Sequence, residues 1–315
     1  MRRYGILIVL VLALSLPLAA VDGTKFTLDL SGHFLTRATG SAVPLVSLYG
    51  NEGTGNVFTT DDVALNTWKF GGDLRLGYTW SKFGVEVRGF MLAKWKKSKE
   101  YTSPEGSELV IETNPLTYYG MGTGNTLTAS NESTLKGFEA NLTYDLTPKV
   151  RLYGGARYLQ VKEMFDLFGY FSEADNEDDF WTTTNKMLGG QIGARVEFLS
   201  PADEATRGFT VQGHGAIALF SNDAHADFTV VDYYSDIIAD GHKLTPAVDA
   251  GVQVGYRLDR MIAFYVGYDL LWVDFVSQAS RQVAGTTSYN STPTIALVYK
   301  SLAVHGAKVG VTVHF

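Results

Sequence analysis

The chain of 315 residues contains no cysteine. Disulfide bonds, thiolate metal sites and a lipid anchor on cysteine are therefore excluded. No apolar run reaches the roughly 20 residues that a membrane-spanning helix requires, so a helical membrane protein is not expected. Basic residues are also in deficit, because 26 Lys and Arg against 33 Asp and Glu give a formal net charge of −7. A nucleic-acid partner is therefore not expected either.

The first residues of the chain have the pattern of a secretory signal peptide. Two arginines precede an apolar run from Ile6 to Leu16, and small residues end this region at Ala20. We expect residues 1–23 to be a signal peptide that is cleaved near Ala20. Residues 24–315 are then expected to form a single domain.

The rest of the chain is dominated by alternation of apolar and polar residues. This period of two gives a strand one apolar and one polar face. Each alternating segment has roughly 11 to 15 residues, about twice an ordinary strand, and a tilted strand crosses a membrane in about 9 to 11. The ten segments are Phe26–Arg37, Thr67–Trp80, Phe83–Trp95, Thr134–Leu146, Val150–Lys162, Asn185–Leu199, Gly208–Phe220, Leu244–Leu258, Met261–Val273 and His305–Phe315.

The connections between these segments alternate between long and short. Up-and-down barrels of the outer membrane have this arrangement, because their external loops are long, their periplasmic turns are short and their strand number is even. We therefore predict an all-β fold, an up-and-down antiparallel transmembrane β-barrel of about ten strands with both termini in the periplasm. Two further strands near Ala42–Tyr49 and Leu109–Thr113 would make a barrel of twelve strands, which is the alternative.

The last segment carries a specific motif. Lys308, Gly310, Val313 and Phe315 follow the pattern polar-x-Gly-x-x-apolar-x-aromatic. This pattern resembles the C-terminal signal by which bacterial outer-membrane barrels are handed to the barrel assembly machinery. The resemblance implies an integral protein of the bacterial outer membrane, with outer-membrane lipid and the assembly machinery as partners. An ordinary amphipathic last strand is the alternative.

A second resemblance covers roughly half of the chain. Four segments resemble the β-barrel porin family that is abundant in planctomycetes: Arg151–Leu159, Gly189–Gly193 together with Asn185, Gly255–Leu258 and Leu270–Trp272. The segment Gly137–Leu146 is similar to the Legionella-type major outer membrane proteins. These resemblances imply an outer-membrane barrel and, at the level of the family, porin activity. The chain departs from the expected pattern because it has no proline near Ser277–Ser280.

Charged residues recur on the polar faces of the segments, which should line the barrel lumen. The lumen of a barrel of about ten strands is narrow, and unpaired charges are costly there, so we expect a network of ion pairs. This network would line a selective pore or form a structural plug. In a tight hairpin of the fourth and fifth segments, Asp145 faces Arg151 and Glu139 faces Arg157. The predicted pore-lining residues are Asp29, Arg37, Asp73, Arg75, Glu86, Arg88, Glu139, Asp145, Arg151, Arg157, Arg195, Glu197, Asp249, Arg257 and Asp269.

Three other groups of residues are candidates for binding or membrane contact. We interpret the acidic run from Glu173 to Asp179 as a solvated loop, with Ca²⁺ binding as the alternative. The four lysines between Lys94 and Lys99 either contact lipid phosphates or keep a loop soluble. Aromatic residues near strand ends are typical of interfacial girdles. These are Trp68, Tyr78, Trp80, Trp95, Tyr256 and Trp272.

The predicted function is a narrow, porin-like passive diffusion channel for small solutes or ions. One alternative is a non-conducting surface or envelope barrel whose loops bind a partner. Another is a rim protease, because Asp223-x-His225 resembles half of the omptin protease site, in which the His helps to activate water. The facing rim should then supply an Asp-x-Asp pair, but it offers Glu105, Glu108 and Glu112. We therefore predict no catalytic residue, no metal site, no cofactor and no enzymatic activity.

Overall fold

The predicted fold class is confirmed by the computed structural model, in which most of the described chain is β-strand. The predicted signal peptide, residues 1–23, lies outside the described residues. Within them, no helix is both long and apolar enough to cross a membrane. The structure describes residues 24–38, 44–50, 55–104, 107–111, 124–172, 175–201, 206–230, 235–283, 286–289 and 292–315.

The described ranges contain strands of very different lengths, from 4 to 25 residues. The long ones form the barrel and the short ones lie in its connections. In chain order the elements are β1 (Thr24–Arg37), β2 (Pro44–Gly50), β3 (Gly55–Thr59), β4 (Lys69–Trp80), β5 (Phe83–Leu92), β6 (Trp95–Thr102), β7 (Ser107–Ile111), β8 (Thr126–Thr147), β9 (Val150–Ser172), β10 (Asp175–Leu199), β11 (Gly208–Val230), β12 (Ser235–Arg257), β13 (Ile262–Ser277), α1 (Ala279–Gln282), β14 (Thr286–Tyr289), β15 (Thr292–Ile295) and β16 (Tyr299–His314).

One antiparallel sheet of eleven strands closes into a ring. The order around the ring is β1, β4, β5, β8, β9, β10, β11, β12, β13 and β16, and β16 pairs again with β1. The eleventh strand, β6, pairs with β8 beyond the end of β5, so β5 and β6 share one position in the ring. The barrel therefore has ten positions, as the alternation predicted.

The two extra strands that would have made twelve lie outside the barrel. The segment near Ala42–Tyr49 contains β2, and the segment near Leu109–Thr113 contains part of β7. Together with β3 they form a separate sheet of three strands. The twelve-stranded alternative is therefore not adopted.

The two ends of the barrel differ in their connections. At one end, here called the turn end, short turns join β4 to β5, β8 to β9 and β12 to β13. Phe26 and Phe315 also lie there, where the backbone amide of Phe315 donates to the carbonyl oxygen of Phe26 at 2.9 Å. We call the opposite end the loop end. At this end β9 continues to Ser172 and β10 begins at Asp175, so the two strands form a long hairpin. Most of the predicted acidic loop, Glu173 to Asp179, therefore belongs to β10. Glu173 lies outside the described residues.

Outward-facing apolar side chains form an apolar belt around the turn half of the barrel. On β10 the belt runs from Leu188 to Phe198, which are 62% and 64% exposed. With a rise of about 3.3 Å per residue and a tilt of about 40°, this stretch covers about 25 Å, the height of the lipid-facing band in outer-membrane barrels. The belt includes Leu30, Phe34, Phe70, Val85, Val87, Phe138, Leu142, Leu188, Ile192, Phe198, Ile217, Leu219, Val252, Val254, Phe264, Val266 and Val309.

The long strands β8 to β11 reverse their apolar face part-way along. On β11, Ile217 and Leu219 point outward and are exposed, whereas Phe220 and Phe228 point inward and are 0% exposed. An outward apolar face suits lipid, and an inward apolar face suits a barrel that is surrounded by water. The strands are therefore built as a membrane barrel in the turn half and as a water-exposed barrel in the loop half.

Candidate functional site

The lumen of the turn half is filled by charged side chains. Alternate residues of each strand point inward, so strands on all sides of the ring contribute charged groups to the same space. We call this set the charged layer: Asp29, Asp73, Arg75, Glu86, Arg88, Glu139, Arg157, Arg195, Asp249, Asp269 and Lys308. Ten of these eleven residues belong to the predicted pore-lining set, and the eleventh, Lys308, belongs to the C-terminal motif.

Ion pairs connect strands that are not neighbours in the sheet. Arg195 of β10 donates two hydrogen bonds of 2.6 Å to Glu86 of β5. Arg157 of β9 donates to Asp249 of β12 at 2.9 Å, and its Nε lies 3.3 Å from Glu139. The charged layer therefore braces the barrel from the inside.

Neutral polar side chains complete this layer. The amide nitrogen of Gln191 donates to Glu139 and to Asn141, at 2.9 Å each. Tyr265 donates its hydroxyl to Asp29 at 2.7 Å. The ammonium of Lys308 lies 2.9 Å from Asp269. The hydrogen bonds to Glu139 and Asp29 occupy carboxylate oxygens that the arginines leave unpaired, as burial requires.

The charged layer has nearly equal numbers of both signs. Six carboxylates face four arginines and one lysine, and two histidines lie among the carboxylates. His214 is 3.1 Å from Asp249, and His33 is 3.8 Å from Asp269. Because charges in a narrow space must be compensated, this near balance lets the layer close tightly.

The remaining predicted residues lie on either side of this layer. Asp145 pairs with Arg151 near the turn end, where the two hydrogen bonds are 2.5 and 2.9 Å long, in the register that the tight hairpin predicted. Glu197 and Arg257 are half-buried near the same end. Arg37 lies in the loop half and pairs with Glu163.

A second layer, which sequence reasoning missed, closes the lumen in the loop half. We call it the apolar layer. We had expected a polar lumen throughout, but here the inward-facing side chains are apolar and at most 4% exposed. The phase shift of the alternation within the long strands is the signal that could have revealed it. Its members include Leu65, Leu92, Trp95, Leu135, Leu159, Val161, Met187, Phe220, Val273 and Leu302.

The position of Trp95 corrects one prediction. We assigned it to an interfacial girdle, but its side chain is 0% exposed and lies in the apolar layer. The indole nitrogen donates to the backbone oxygen of Thr67 at 3.1 Å, which satisfies the one polar atom of the ring. Trp68 and Trp80 are exposed, as a girdle requires.

The segment around α1 lies over the apolar layer. After Phe275, whose φ of 48° is rare outside glycine, the chain turns inward, and residues 277–283 are all buried. Asn185 donates to the backbone oxygen of Ser277 at 2.7 Å, and Glu163 accepts the backbone amide of Ala279 at 3.1 Å. Nothing in the spacing of Asn185 or Glu163 pointed to this role.

A small cavity separates the charged layer from the apolar layer. It has a volume of about 40 Å³, which is room for roughly three water molecules. Its lining is polar on one side, with Arg88, Arg157 and Asp249, and apolar on the other, with Phe90 and Leu135. A hydrated solute would not pass this point unless side chains moved.

The candidate protease residues point away from the lumen. Asp223 and His225 lie on the outer face of β11, where they pair with His242 at 2.6 Å and with Asp240 at 2.7 Å on β12. Glu105 and Glu112 lie outside the described residues, and Glu108 belongs to β7. Among the residues that the structure describes, no three His, Asp or Glu side chains are placed to hold a metal ion.

The predicted lysine cluster is partly paired. Lys94 and Lys96 lie 2.6 and 2.8 Å from Glu132, and Lys99 lies 2.5 Å from Asp62. Partial burial alone would raise the pKa of Asp62, but the hydrogen bond from Lys99 and those from Thr59 outweigh it and lower the pKa. These contacts keep the charges of the loop end in local pairs.

Comparison with known proteins tests the family and the fold. No protein-family model matches the chain, and no curated protein matches it. The outer membrane protease OmpT of Escherichia coli is similar in structure, with a TM-score of 0.51 and 11% identity over 92% of this chain and 97% of OmpT. The chain has the fold of an outer-membrane β-barrel. At 11% identity the likeness extends to the fold alone.

Other outer-membrane β-barrels are more distant in shape. The translocator domain of the autotransporter NalP from Neisseria meningitidis has a TM-score of 0.38 and 11% identity, over 93% of this chain and 89% of that domain. The toluene transporter TbuX of Ralstonia pickettii has a TM-score of 0.35 and 11% identity, over 93% of this chain and 90% of the transporter.

Proposed function

We propose that this outer-membrane β-barrel is a narrow diffusion channel for small solutes or ions that is closed in the described conformation. The observation that carries the proposal is the charged layer in series with the apolar layer inside one lumen. Channels use rings of charged side chains for selectivity, and they use hydrophobic constrictions that close by expelling water. Both elements are present, in that order from the turn end.

The orientation follows from the same physical argument. The loop end faces the outside of the cell and the turn end faces the periplasm, because external connections are long and periplasmic turns are short. The partners would then be outer-membrane lipid, the barrel assembly machinery that reads the C-terminal motif, and small solutes or ions. The likeness to porins of planctomycetes and to Legionella-type proteins stays a prediction.

The C-terminal motif fits this assignment in detail. Phe315 packs on Phe26, with ring centroids 5.7 Å apart at the turn end. Gly310 lies beside Tyr265, whose ring would be 2.4 Å from an added Cβ. Lys308 points into the lumen, and Val313 is partly exposed. Each of the four motif residues therefore has a place in the closed barrel as well as in the proposed assembly signal.

A specific observation favours a second candidate, a non-conducting barrel. Both layers are closed, and the charged layer is bonded across the lumen by Arg157 to Asp249 and by Arg195 to Glu86. Such bracing stabilises a barrel that only anchors its loops. The two candidates differ in whether the apolar layer ever opens.

Conductance in planar lipid bilayers separates the two candidates. The inward pair of substitutions, Met187→Ala with Phe220→Ala, removes side chains from the apolar layer. The outward pair, Leu188→Ala with Leu219→Ala, is the control and removes similar side chains from the lipid face of the same strands. We expect rare openings from the wild type, at least about tenfold more from the inward pair, and wild-type behaviour from the outward pair. Silence of all three folded proteins overturns the channel proposal and supports the non-conducting barrel.

We also propose that the protein is not an enzyme. Asp223 and His225 face outward and already pair with His242 and Asp240. A peptide-cleavage assay of the folded wild type is expected to show no activity. Cleavage that is lost in His225→Ala would contradict this proposal.

A further inference from the structure

On the outer face of strands β8 to β12, the apolar belt gives way to polar residues at a sharp boundary. The last row of the apolar belt toward the loop end contains Phe138, Tyr158, Leu188, Ser221 and Leu244, which are paired in sequence across the strands. Phe138, Leu188 and Leu244 in this row are 53% to 64% exposed. Lipid hydrocarbon must therefore reach this row.

The next two rows toward the loop end are polar. The first contains Lys136, Gln160, Lys186, Asp223 and His242, each opposite the next. All of them lie on the outer face, one step of two residues beyond the apolar belt.

The second polar row continues the same arrangement. It contains Thr134, Lys162, Thr184, His225 and Asp240. Lys162 on β9 therefore lies between the strands that carry Lys136 and Lys186. The three lysine positions form a triangle just beyond the apolar belt.

These three lysines differ from the other charges of the region. Among the residues that the structure describes, none forms an ion pair with Lys136, Lys162 or Lys186. The cross-strand neighbours of Lys136 and Lys162 are uncharged: Met91, Gln160, Thr134 and Thr184. Only Lys186 has an acidic neighbour, Asp223, which pairs with His242.

The nearby carboxylates are already engaged. Asp240 pairs with His225. Glu132, two residues beyond Thr134 toward the loop end of β8, forms ion pairs with Lys94 and Lys96. Asp166 and Asp227 lie further toward the loop end. The patch on β8 to β10 is therefore cationic on a chain whose net charge is −7.

We propose that Lys136, Lys162 and Lys186 bind the phosphate groups of a membrane lipid in the leaflet at the loop end. Lipid phosphates lie just beyond the hydrocarbon, at the level of these rows, and lysine extends its apolar stem along the surface to reach them. Neighbouring strands are about 4.8 Å apart, so the triangle spans about 10 Å and fits two phosphate groups.

The experiment uses the folded full-length protein in a nonionic detergent and native mass spectrometry of retained lipid. The probes are diphosphoryl lipid A and phosphatidylglycerol, with diacylglycerol as the lipid that lacks phosphate. The variant is Lys136→Gln, Lys162→Gln and Lys186→Gln together. The control removes three equally exposed charges at the turn end, by Lys82→Gln, Lys149→Gln and Arg260→Gln.

We expect the wild type and the control to retain the phosphate-bearing probes but no diacylglycerol. The triple lysine variant should bind these probes about 100-fold more weakly, because each lysine near an anionic surface contributes a factor of about five to binding. Equal binding by the variant overturns the proposal, and so does equal weakening in the control. Displacement by millimolar inorganic phosphate would also overturn it, because the site would then bind free phosphate. None of these results depends on whether the lumen conducts.

Discussion

Arg195 of β10 and Glu86 of β5 join side to side through two hydrogen bonds of 2.6 Å, although β8 and β9 lie between their strands. The two side chains come within hydrogen-bond distance only when the sheet has curved into a closed ring. The pair therefore reports on closure of the barrel.

Glu86→Gln should lower the free energy of unfolding by about 3 kcal/mol, because it leaves the guanidinium of Arg195 without its carboxylate in a narrow lumen. Glu197→Gln makes the same change in charge at a half-buried position for which no ion pair is described. We expect the control to lie within about 0.5 kcal/mol of the wild type. Urea unfolding in lipid vesicles, followed by tryptophan fluorescence, measures both values. If Glu197→Gln lowered the free energy of unfolding as much as Glu86→Gln does, the result would contradict a stabilising role of the Glu86–Arg195 pair.

The reversal of the apolar face predicts opposite tolerance to charge along one strand. Ile192 lies near the middle of the apolar belt on β10 and is 64% exposed. Ile192→Arg should cost about 2 to 4 kcal/mol, because it places a charge in hydrocarbon. Thr182→Arg, on the same outer face beyond the belt, should cost less than about 1 kcal/mol. Equal costs in vesicle unfolding would show that the belt does not end near Leu188.

Close packing of neighbouring strands depends on Gly189. An added Cβ would lie 2.0 Å from the backbone oxygen of Leu219 on β11, so the two strands would have to separate. We expect Gly189→Ala to cost about 1 to 3 kcal/mol. Gly215→Ala is the matched control, since a Cβ there meets nothing within 4 Å. The measurement is the temperature at which the folded barrel loses its characteristic mobility on a gel. We expect this temperature to fall for Gly189→Ala and to stay at the wild-type value for Gly215→Ala.

The turn between β12 and β13 should respond to acid. Backbone amides of Met261 and Ile262 each donate to Asp259 at 2.8 Å and lower the pKa of its carboxyl below the usual 3.8. Because the folded pKa is depressed, the stabilisation is complete above about pH 3.8 and is lost as the pH falls through the folded value. Asp259→Asn should therefore unfold at a lower urea concentration than the wild type at pH 7. The difference should vanish at the acid end, and a difference that is constant with pH would contradict this account.

How far the sequence predicted the fold is clear from β8 and β9. Alternation over Thr134–Leu146 and Val150–Lys162, with a tight turn between them, predicted both strands and their register, and Asp145 pairs with Arg151 accordingly. Such pairs are close in the chain, so local spacing alone decides which residues meet. The alternation does not predict the extensions of both strands toward the loop end, because their apolar residues change face.

The candidate site divides in the same way. The period of two was enough to predict which charged residues lie on one face of each strand, from Asp29 in β1 to Asp269 in β13. It could not give the partners of Arg157 and Arg195, which lie on strands that are not adjacent in the ring. It also could not show that Trp95 and Phe220 would face inward and close the lumen.

The sequence by itself determined that this protein is a ring of about ten amphipathic strands with an apolar outer face, because the side-chain period of a strand is fixed by its backbone geometry. Only the tertiary structure decided which charges pair across the lumen, where the surroundings of the barrel change from lipid to water, and that the lumen is closed at two levels. These features depend on distances between strands that are far apart in the chain. Such distances exist only once the ring has closed.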